Sequence, residues 1–200
     1  MFTKRSDLHP PNSAEVKERM IDAAKINSSD SVLNPCYGDG DLAIMSARLA
    51  GLVIAIDVET SSLDGINKPY TFDNLDHYRA NFLSIDQYSH PELYRNFDVV
   101  IMDTPLNDSE AKYIRHAFDF VRSGGRLVCL ARLETVGFLD EMNKNLQENG
   151  AEITLSLDSH ALDFGCSYRP ATILSADINY RMSSPPTPVS RQLSFKPKVA

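Results

Sequence analysis

The pattern of apolar positions along this chain predicts helices that alternate with short buried strands. A period of 3.6 residues predicts helices over Ser13–Ala24, from Asp41 onward, over Ser109–Val121 and over Glu134–Glu148, with a weaker helix or turn over Ser61–Asn67. Short apolar runs predict strands at Val32–Leu33, Leu52–Ile56, Tyr78–Leu83, Asp98–Met102, Arg126–Ala131, Glu152–Leu157 and Ala171–Ile178. The alternation predicts an α/β fold with a doubly wound, mostly parallel sheet that is covered on both faces.

The same periodicity predicts which side chains the helices bury and where they stop. The predicted buried positions are Val16, Met20, Ala23 and Ala24 in the first helix and Leu42, Met45 and Leu49 in the second. We expect Gly124-Gly125 to mark the end of the Ser109–Val121 helix. The last two strands follow one another without a helical segment between them, which predicts a terminal antiparallel pair.

Composition indicates one globular domain. Of the 200 residues, 42% are hydrophobic and 24% are charged, which is typical of a folded domain; we place the domain over residues 1–182. The Pro- and Ser-rich segment 183–200 is predicted to be a disordered tail. The formal net charge of −7 argues against generic nucleic-acid binding, so such contact would need a local basic face or a partner subunit.

No targeting, membrane or metal pattern is visible in the sequence. The chain lacks an apolar run long enough to span a bilayer and lacks a signal-peptide pattern, so we expect a cytoplasmic protein. Three cysteines, Cys36, Cys129 and Cys166, are then expected to be reduced. Neither the cysteines nor the five histidines have the spacing of metal ligands, and no metal is predicted.

The segment from Val32 to Asp57 carries the strongest functional pattern. A strand breaks into the loop Asn34-Pro35-Cys36-Tyr37-Gly38-Asp39-Gly40, a helix and a second strand follow, and the second strand ends on Asp57. This layout is typical of adenosine-bearing cofactors, because glycines admit the ligand, helix amides bind it and the acid holds the ribose. The predicted ligand-binding positions here are Asn34, Pro35, Cys36, Gly38, Gly40, Asp57 and Val58. Read as G-x-G-x-x-A, Gly38–Ala43 also fits a dinucleotide fingerprint.

The loop resembles the x-P-x-x-G-x-G motif of amino-methylating nucleic-acid methyltransferases, which use S-adenosylmethionine. Asn34 occupies the place of that family's acid near the amino-acid end of the cofactor, and Asp39 and Asp41 are alternative sources of charge. His9-Pro10-Pro11, with Glu15-Val16 and Arg19-Met20, is similar to the segment that precedes the first strand in the gamma-type adenine DNA methyltransferases. The resemblance implies that Pro11 lines the methionine end of the cofactor.

The same resemblance assigns residues to the cofactor adenine and to the acceptor. Asn81 and Phe82 occupy the place of the family motif that contacts the adenine. After the apolar run Asp98–Met102, the sequence Asp103-Thr104-Pro105-Leu106 resembles (D/N/S)-P-P-(Y/F/W). The motif implies that the Asp103 side chain and the Thr104 carbonyl accept hydrogen bonds from the target amino group. Thr104 and Leu106 depart from the motif, and Leu106 removes the aromatic platform for a flipped base.

Three functions remain open from the sequence. The first is an S-adenosylmethionine-dependent methyltransferase that acts on adenine in DNA or RNA. The second is a catalytically silent, methyltransferase-like regulatory subunit with a protein partner, which is suggested by Leu106, Asn34 and the acidic charge. The third is a nicotinamide-dependent oxidoreductase, which is supported by Gly38–Ala43 alone.

Overall fold

The computed structural model describes residues 13–58, 72–104, 109–137, 151–158 and 171–180. Within these ranges the helices are α1 (Ser13–Ala24), α2 (Asp41–Ala47) and α3 (Glu110–Phe118), with a 3₁₀ turn at Phe82–Ser84 and helical residues at 133–137. The strands are β1 (Ser31–Pro35), β2 (Leu52–Asp57), β3 (Leu75–Arg79), β4 (Phe97–Met102), β5 (Val121–Arg132), β6 (Ala151–Leu157) and β7 (Ala171–Tyr180). These elements confirm the predicted α/β alternation.

The described strands form one sheet in the order β3-β2-β1-β4-β5-β7-β6. The pairs from β3 through β5 are parallel, whereas β7 is antiparallel to both β5 and β6. The predicted terminal antiparallel pair is therefore confirmed. Because β7 lies between β5 and β6, the sheet departs from the 3-2-1-4-5-6 order of the usual dinucleotide-binding fold.

Alternate residues of the central strands bury their side chains on opposite faces of the sheet, as expected for a period of two. Leu33 and Ile54 pack on the face that α3 covers, in one apolar cluster. Val32 and Val53 pack with α1 and α2 in a second cluster on the other face. Both faces of the central sheet are covered, which confirms the doubly wound architecture.

Helix α1 has the predicted bounds, and Val16, Met20 and Ala24 on its predicted face are buried. Helix α2 begins at Asp41 as expected but ends at Ala47, two residues before Leu49, which was predicted to be a buried position of this helix. Leu49 is 43% exposed, so its predicted burial is wrong. The chain has to turn there, because the amides of both Gly51 and Leu52 bond to the Asp30 carbonyl at the start of β2.

The boundary between α3 and β5 differs from the prediction. Helix α3 ends at Phe118, and Val121 already pairs with Phe97 of β4 as the first residue of β5. Gly124-Gly125 therefore lies inside a bulge of β5, where the register with β4 shifts. A Cβ on Gly125 would lie 2.8 Å from the Asp98 carbonyl oxygen, and Gly124 has a φ of +78°. Gly125 therefore serves close strand packing and Gly124 a left-handed backbone within the strand, and neither ends a helix.

The third strand is also displaced from its predicted position. It covers Leu75–Arg79 instead of Tyr78–Leu83, and it pairs with β2 from Leu75↔Val53 to Arg79↔Asp57. Its side chains are only partly buried or exposed, so it lacks the continuous apolar run on which the prediction relied. The predicted segments Ser61–Asn67 and 183–200, and most of Glu134–Glu148, lie outside the described residues.

Candidate functional site

The ends of three parallel strands meet where the strand order of the sheet reverses. Strands β2 and β3 lie on one side of β1, and β4 lies on its other side. Ligands of open α/β sheets bind outside the carboxyl ends of the strands at this reversal. Asp57 ends β2, Cys36 follows β1, and Asp103 follows β4, so the predicted residues are brought to one edge of the sheet.

The loop after β1 has an unusual backbone. Cys36, Gly38 and Gly40 have positive φ angles of 64°, 59° and 84°, and Cys36 is the one of these three with a side chain, which disfavours that region. The Tyr37 amide donates to the Ile56 carbonyl at 3.1 Å, and the Gly40 amide donates to the Tyr37 carbonyl at 2.9 Å. These hydrogen bonds hold the loop across the end of β2.

Asp57 joins the second strand to this loop. Its Oδ2 accepts a hydrogen bond from the Gly38 amide at 3.0 Å, and its side chain is partly exposed. The sequence analysis assigned Asp57 to a ribose. The structure shows in addition that the carboxylate fixes the position of Gly38, so a ligand at Asp57 would contact a group that the fold already orients.

Gly40 begins α2 and is packed against an aromatic ring. A Cβ on Gly40 would lie 2.5 Å from Tyr37 Oη and 2.6 Å from Tyr37 Cζ. The Tyr37 ring is buried and meets His77 edge-on at a centroid distance of 5.0 Å. The absence of a side chain at Gly40 is thus required by Tyr37 and by the backbone, and it keeps the loop close to the end of the sheet.

Asn34 provides a buried acceptor directly before this loop. The side chain is 0% exposed, and its Nδ2 donates to the Ile101 carbonyl of β4 at 2.7 Å. Its Oδ1 accepts no hydrogen bond from the residues that the structure describes. An unsatisfied buried carbonyl oxygen is costly, so Oδ1 is a position where a ligand donor would be stabilised.

Cys36, Asp57 and Asp103 form an electrostatically coupled group at the strand ends. Burial raises the pKa of the Cys36 thiol, and the Asp57 and Asp103 carboxylates raise it further. The thiol is therefore protonated at neutral pH and is a poor nucleophile. The arrangement offers hydrogen-bond acceptors and negative charge, which suits the binding of donor groups such as hydroxyls and amines.

Tyr113 of α3 reaches the same edge of the sheet, and the sequence analysis missed it. Burial raises the pKa of Tyr113, and Cys36 and Asp57 raise it further, which places its hydroxyl near both. Its ring stacks on the Phe82 ring at a centroid distance of 6.4 Å and an interplanar angle of 24°. Tyr113 lies next to the buried Ile114 of α3, and helical periodicity indicates burial, not function, so the sequence gave no functional signal for it.

The predicted adenine residues Asn81 and Phe82 lie beyond β3. Asn81 Oδ1 accepts a hydrogen bond from the Leu83 amide and caps the 3₁₀ turn. The Phe82 ring is 2% exposed and packs on His116 and Phe120 at centroid distances of 4.7 and 5.0 Å. From this position Phe82 offers little surface to a ligand, and its ring supports Tyr113. Its predicted contact with an adenine ring stays a prediction.

Lys17 is a second residue that the sequence analysis missed. This lysine of α1 is buried, and its Nζ lies 2.5 Å from Asp39 Oδ2 and 3.3 Å from Asp41 Oδ2. Burial lowers the pKa of Lys17, but the hydrogen bonds and charges of the two aspartates outweigh that effect and raise it overall. The two loop carboxylates that were alternative sources of charge are therefore paired with a lysine cation.

The other predicted positions have varied surroundings. Val58 is exposed and Thr104 is buried, while Pro11, Pro105 and Leu106 lie outside the described residues. Cys36 and Cys129 are both free thiols. No helix in the described ranges has the length and apolar character needed to cross a membrane, and no cluster of metal-ligating side chains occurs among those residues.

Comparisons with known proteins identify the fold. No protein-family model matches the sequence, and no curated protein sequence matches it. Solved structures do match. The precorrin-6y C5,15-methyltransferase of Geobacter metallireducens has a TM-score of 0.59 and 15% identity, covering 88% of this chain and 98% of that one.

Two further structures match with similar scores. M. jannaschii TYW2 in complex with AdoMet has a TM-score of 0.61 and 16% identity, over 90% of this chain and 78% of that one. A dimethyladenosine transferase from Plasmodium falciparum has a TM-score of 0.59 and 19% identity, over 86% and 64% of the two chains. The chain therefore has the class I methyltransferase fold.

Proposed function

We propose that this protein is an S-adenosylmethionine-dependent methyltransferase that acts on the exocyclic amino group of adenine in DNA or RNA. The observation that carries the proposal is the edge of the sheet where Asn34, Asp57 and the loop Cys36–Gly40, which we call the glycine loop, converge. The strand order and the antiparallel β7 support this cofactor over a dinucleotide. M. jannaschii TYW2, which shares the fold, was solved with AdoMet.

The residues present fit the cofactor. Its ribose hydroxyls would donate to Asp57, and its ammonium group would donate to Asn34 Oδ1, the buried acceptor that lacks a partner among the described residues. The amide oxygen of Asn34 thus accepts a hydrogen bond, as the carboxylate of the related motif does, although a neutral amide attracts a cation less strongly. The remaining cofactor-binding positions that we propose are Pro11, Pro35, Cys36, Gly38, Gly40, Val58, Asn81 and Phe82.

On the acceptor side, we propose that Asp103 and the Thr104 carbonyl position the target amine. The cofactor, when bound, supplies an activated methyl group on a sulfonium, so the protein mainly has to orient the acceptor. Asp103 lies close enough to Cys36 to raise the pKa of its thiol, which supports a place for the acceptor beside the cofactor site. Pro105 and Leu106 would complete this loop.

Adenine is the acceptor that we propose over a small molecule. The dimethyladenosine transferase with this fold supports it by name, whereas the precorrin methyltransferase of the same fold is named for a small molecule. The gamma-type sequence resemblance favours the adenine reading. The net charge of −7 suggests that a nucleic-acid substrate is presented with the help of a basic partner subunit.

The first test is calorimetric titration of the full chain with S-adenosylmethionine and with S-adenosylhomocysteine. Binding that weakens about 10- to 150-fold in Asp57→Ala is expected, since that is the range for a lost hydrogen bond to a charged group. Asp73→Ala is a matched control, because Asp73 is an exposed aspartate just before β3. Tight binding of NAD with no binding of S-adenosylmethionine would overturn the proposal.

Catalysis requires a separate test. Transfer of a labelled methyl group to adenine in DNA or RNA is expected for the wild-type chain, with loss of transfer but retained cofactor binding in Asp103→Ala. Full activity of Asp103→Ala would remove Asp103 from the mechanism. Cofactor binding without any transfer, together with co-purification of an active methyltransferase, would favour a silent regulatory subunit.

A further inference from the structure

Lys17 is a buried cation that the roles assigned above do not use. It projects from α1 and is 3% exposed, which is unusual for lysine. Its two ion-pair partners, Asp39 and Asp41, belong to the glycine loop and to the first turn of α2, and both are substantially exposed. The contact therefore ties a helix that precedes β1 to the loop that follows β1.

We propose that Lys17 is a positioning residue for the amino-acid end of the cofactor, acting through Asp39 and Asp41 on the conformation and charge of the glycine loop. The inference rests on the proposed function, because it assumes that the loop binds S-adenosylmethionine. It assigns to Lys17 no direct contact with the ligand.

Lys17 restrains the conformation of the loop. Cys36, Gly38 and Gly40 all have positive φ angles, which an isolated loop would not maintain. Asp39 lies between the two glycines, and its Oδ1 accepts from the Asp41 amide at 3.1 Å while its Oδ2 contacts Lys17. The side chain of Asp39 is thus held at both oxygens, and this restrains the backbone between Gly38 and Gly40.

Lys17 also lowers the negative charge of the loop. Without Lys17, two carboxylates would lie beside the amides that approach the ligand, and their repulsion would disfavour both the loop conformation and a carboxylate on the ligand. With Lys17, the three side chains together carry a single negative charge. The amino-acid end of the cofactor is a zwitterion, so a partly neutralised loop admits its carboxylate while Asn34 Oδ1 accepts from its ammonium.

Lys17 lies on the side of the sheet where the amino-acid end of the ligand would bind. Helices α1 and α2 cover one face of the sheet, whereas Tyr113 belongs to α3 on the opposite face. Asp57, which we assign to the ribose, contacts the loop at Gly38, whereas Lys17 contacts it at Asp39 and Asp41. Loss of Lys17 should therefore disturb the binding of the amino-acid end and leave the adenosine end largely unchanged.

The experiment compares two ligands that differ only in that end. S-adenosylhomocysteine carries the amino-acid group, and 5′-methylthioadenosine lacks it. In the full chain, Lys17→Met is expected to raise the Kd for S-adenosylhomocysteine about 10-fold or more, because the uncompensated Asp39 and Asp41 carboxylates would repel the ligand's carboxylate. The Kd for 5′-methylthioadenosine, which lacks that carboxylate, should change less than about 2-fold. Lys25→Met is the matched control, because Lys25 directly follows α1 and is exposed.

A second variant covers the case in which Lys17→Met fails to fold. Lys17→Gln removes the charge but keeps a hydrogen-bond donor for Asp39 and Asp41, so it should fold, and it should show the same selective loss for S-adenosylhomocysteine. If these variants bind both ligands equally more weakly, or bind both as wild type does, the role of Lys17 is overturned. In either case, binding by the wild-type chain leaves the proposed function intact. Failure of the wild-type chain to bind either ligand would overturn both.

Discussion

Replacement of Gly40 by alanine should destabilise the loop between β1 and α2 in two separable ways. The first is conformational, because φ at Gly40 is +84°, where an L-residue costs about 1–2 kcal/mol. The second is steric, because the new Cβ would lie 2.5, 2.6 and 2.8 Å from Oη, Cζ and Cε1 of Tyr37. Alanine also restricts the unfolded chain, which offsets about 0.4–1 kcal/mol of these losses.

The steric cost depends on how far the Tyr37 ring can move. The ring is buried, meets His77 edge-on, and belongs to the apolar cluster under α1 and α2. Overpacking in such surroundings costs about 1–3 kcal/mol. Combined with the conformational cost and the offset, Gly40→Ala should lower the free energy of unfolding by about 1–5 kcal/mol.

The assay is urea unfolding of the full chain, followed by far-UV circular dichroism because the sequence contains no tryptophan. Gly137→Ala is the matched control, since a Cβ at Gly137 would meet nothing within 4 Å; it should not lose stability. Tyr37→Leu removes all three contacting ring atoms, so in that background Gly40→Ala should retain only the conformational cost. Equal costs in both backgrounds would refute the steric reasoning, and wild-type stability of Gly40→Ala would refute both parts.

Two other predictions concern a pH dependence and an aromatic contact. Burial alone would raise the pKa of Asp98. Hydrogen bonds from the Ser31 amide and hydroxyl, together with the Arg122 guanidinium, outweigh burial and lower the pKa of Asp98 below its ordinary value of 3.8. The ionised Asp98 therefore stabilises the fold above pH 3.8, and this stabilisation is lost as the pH falls through the lowered pKa. At pH 7, urea unfolding should show Asp98→Asn to be about 1–3 kcal/mol less stable than wild type. At pH 3, about one unit below the ordinary pKa of aspartate, the difference in stability should be smaller. A difference that does not change with pH would contradict this. We also expect the Tyr113 ring, which the Phe82 ring supports, to stack on the adenine of the cofactor. Tyr113→Ala should then weaken calorimetric binding of S-adenosylhomocysteine about 5- to 150-fold, the range for lost stacking on a base, whereas Tyr113→Phe and the exposed-residue control Tyr88→Ala should bind as wild type.

The sequence by itself determined those parts of the fold that depend on local patterns. The apolar runs at Leu52–Ile56 and Asp98–Met102 identified two central strands, because a strand buried on both faces has apolar residues at successive positions. The period of α1 gave both its bounds and its buried face. The sequence also placed the loop from Asn34 to Gly40 and the acid Asp57 at the strand ends. In parallel α/β sheets a glycine-rich turn and an acid follow the ends of strands, and both are visible in the local sequence.

The boundaries that failed depend on pairing between distant segments. Val121 reads as the end of an amphipathic helix, yet pairing with Phe97 makes it the first residue of β5. Strand β3 has few buried side chains and is held by its register with β2. Neither the hydrogen bonds of a neighbouring strand nor a bulge is visible in the periodicity of one segment.

Only the tertiary structure decided which side chains join the candidate site from other elements. Lys17 is one polar residue on a helix in the sequence, and it becomes a buried partner of Asp39 because α1 packs beside α2. Tyr113 reaches the strand ends because α3 covers the opposite face of the sheet. The unsatisfied oxygen of Asn34 arises because its amide nitrogen is used by β4. Each of these features results from contacts between residues that are far apart in the chain, which a local pattern does not encode.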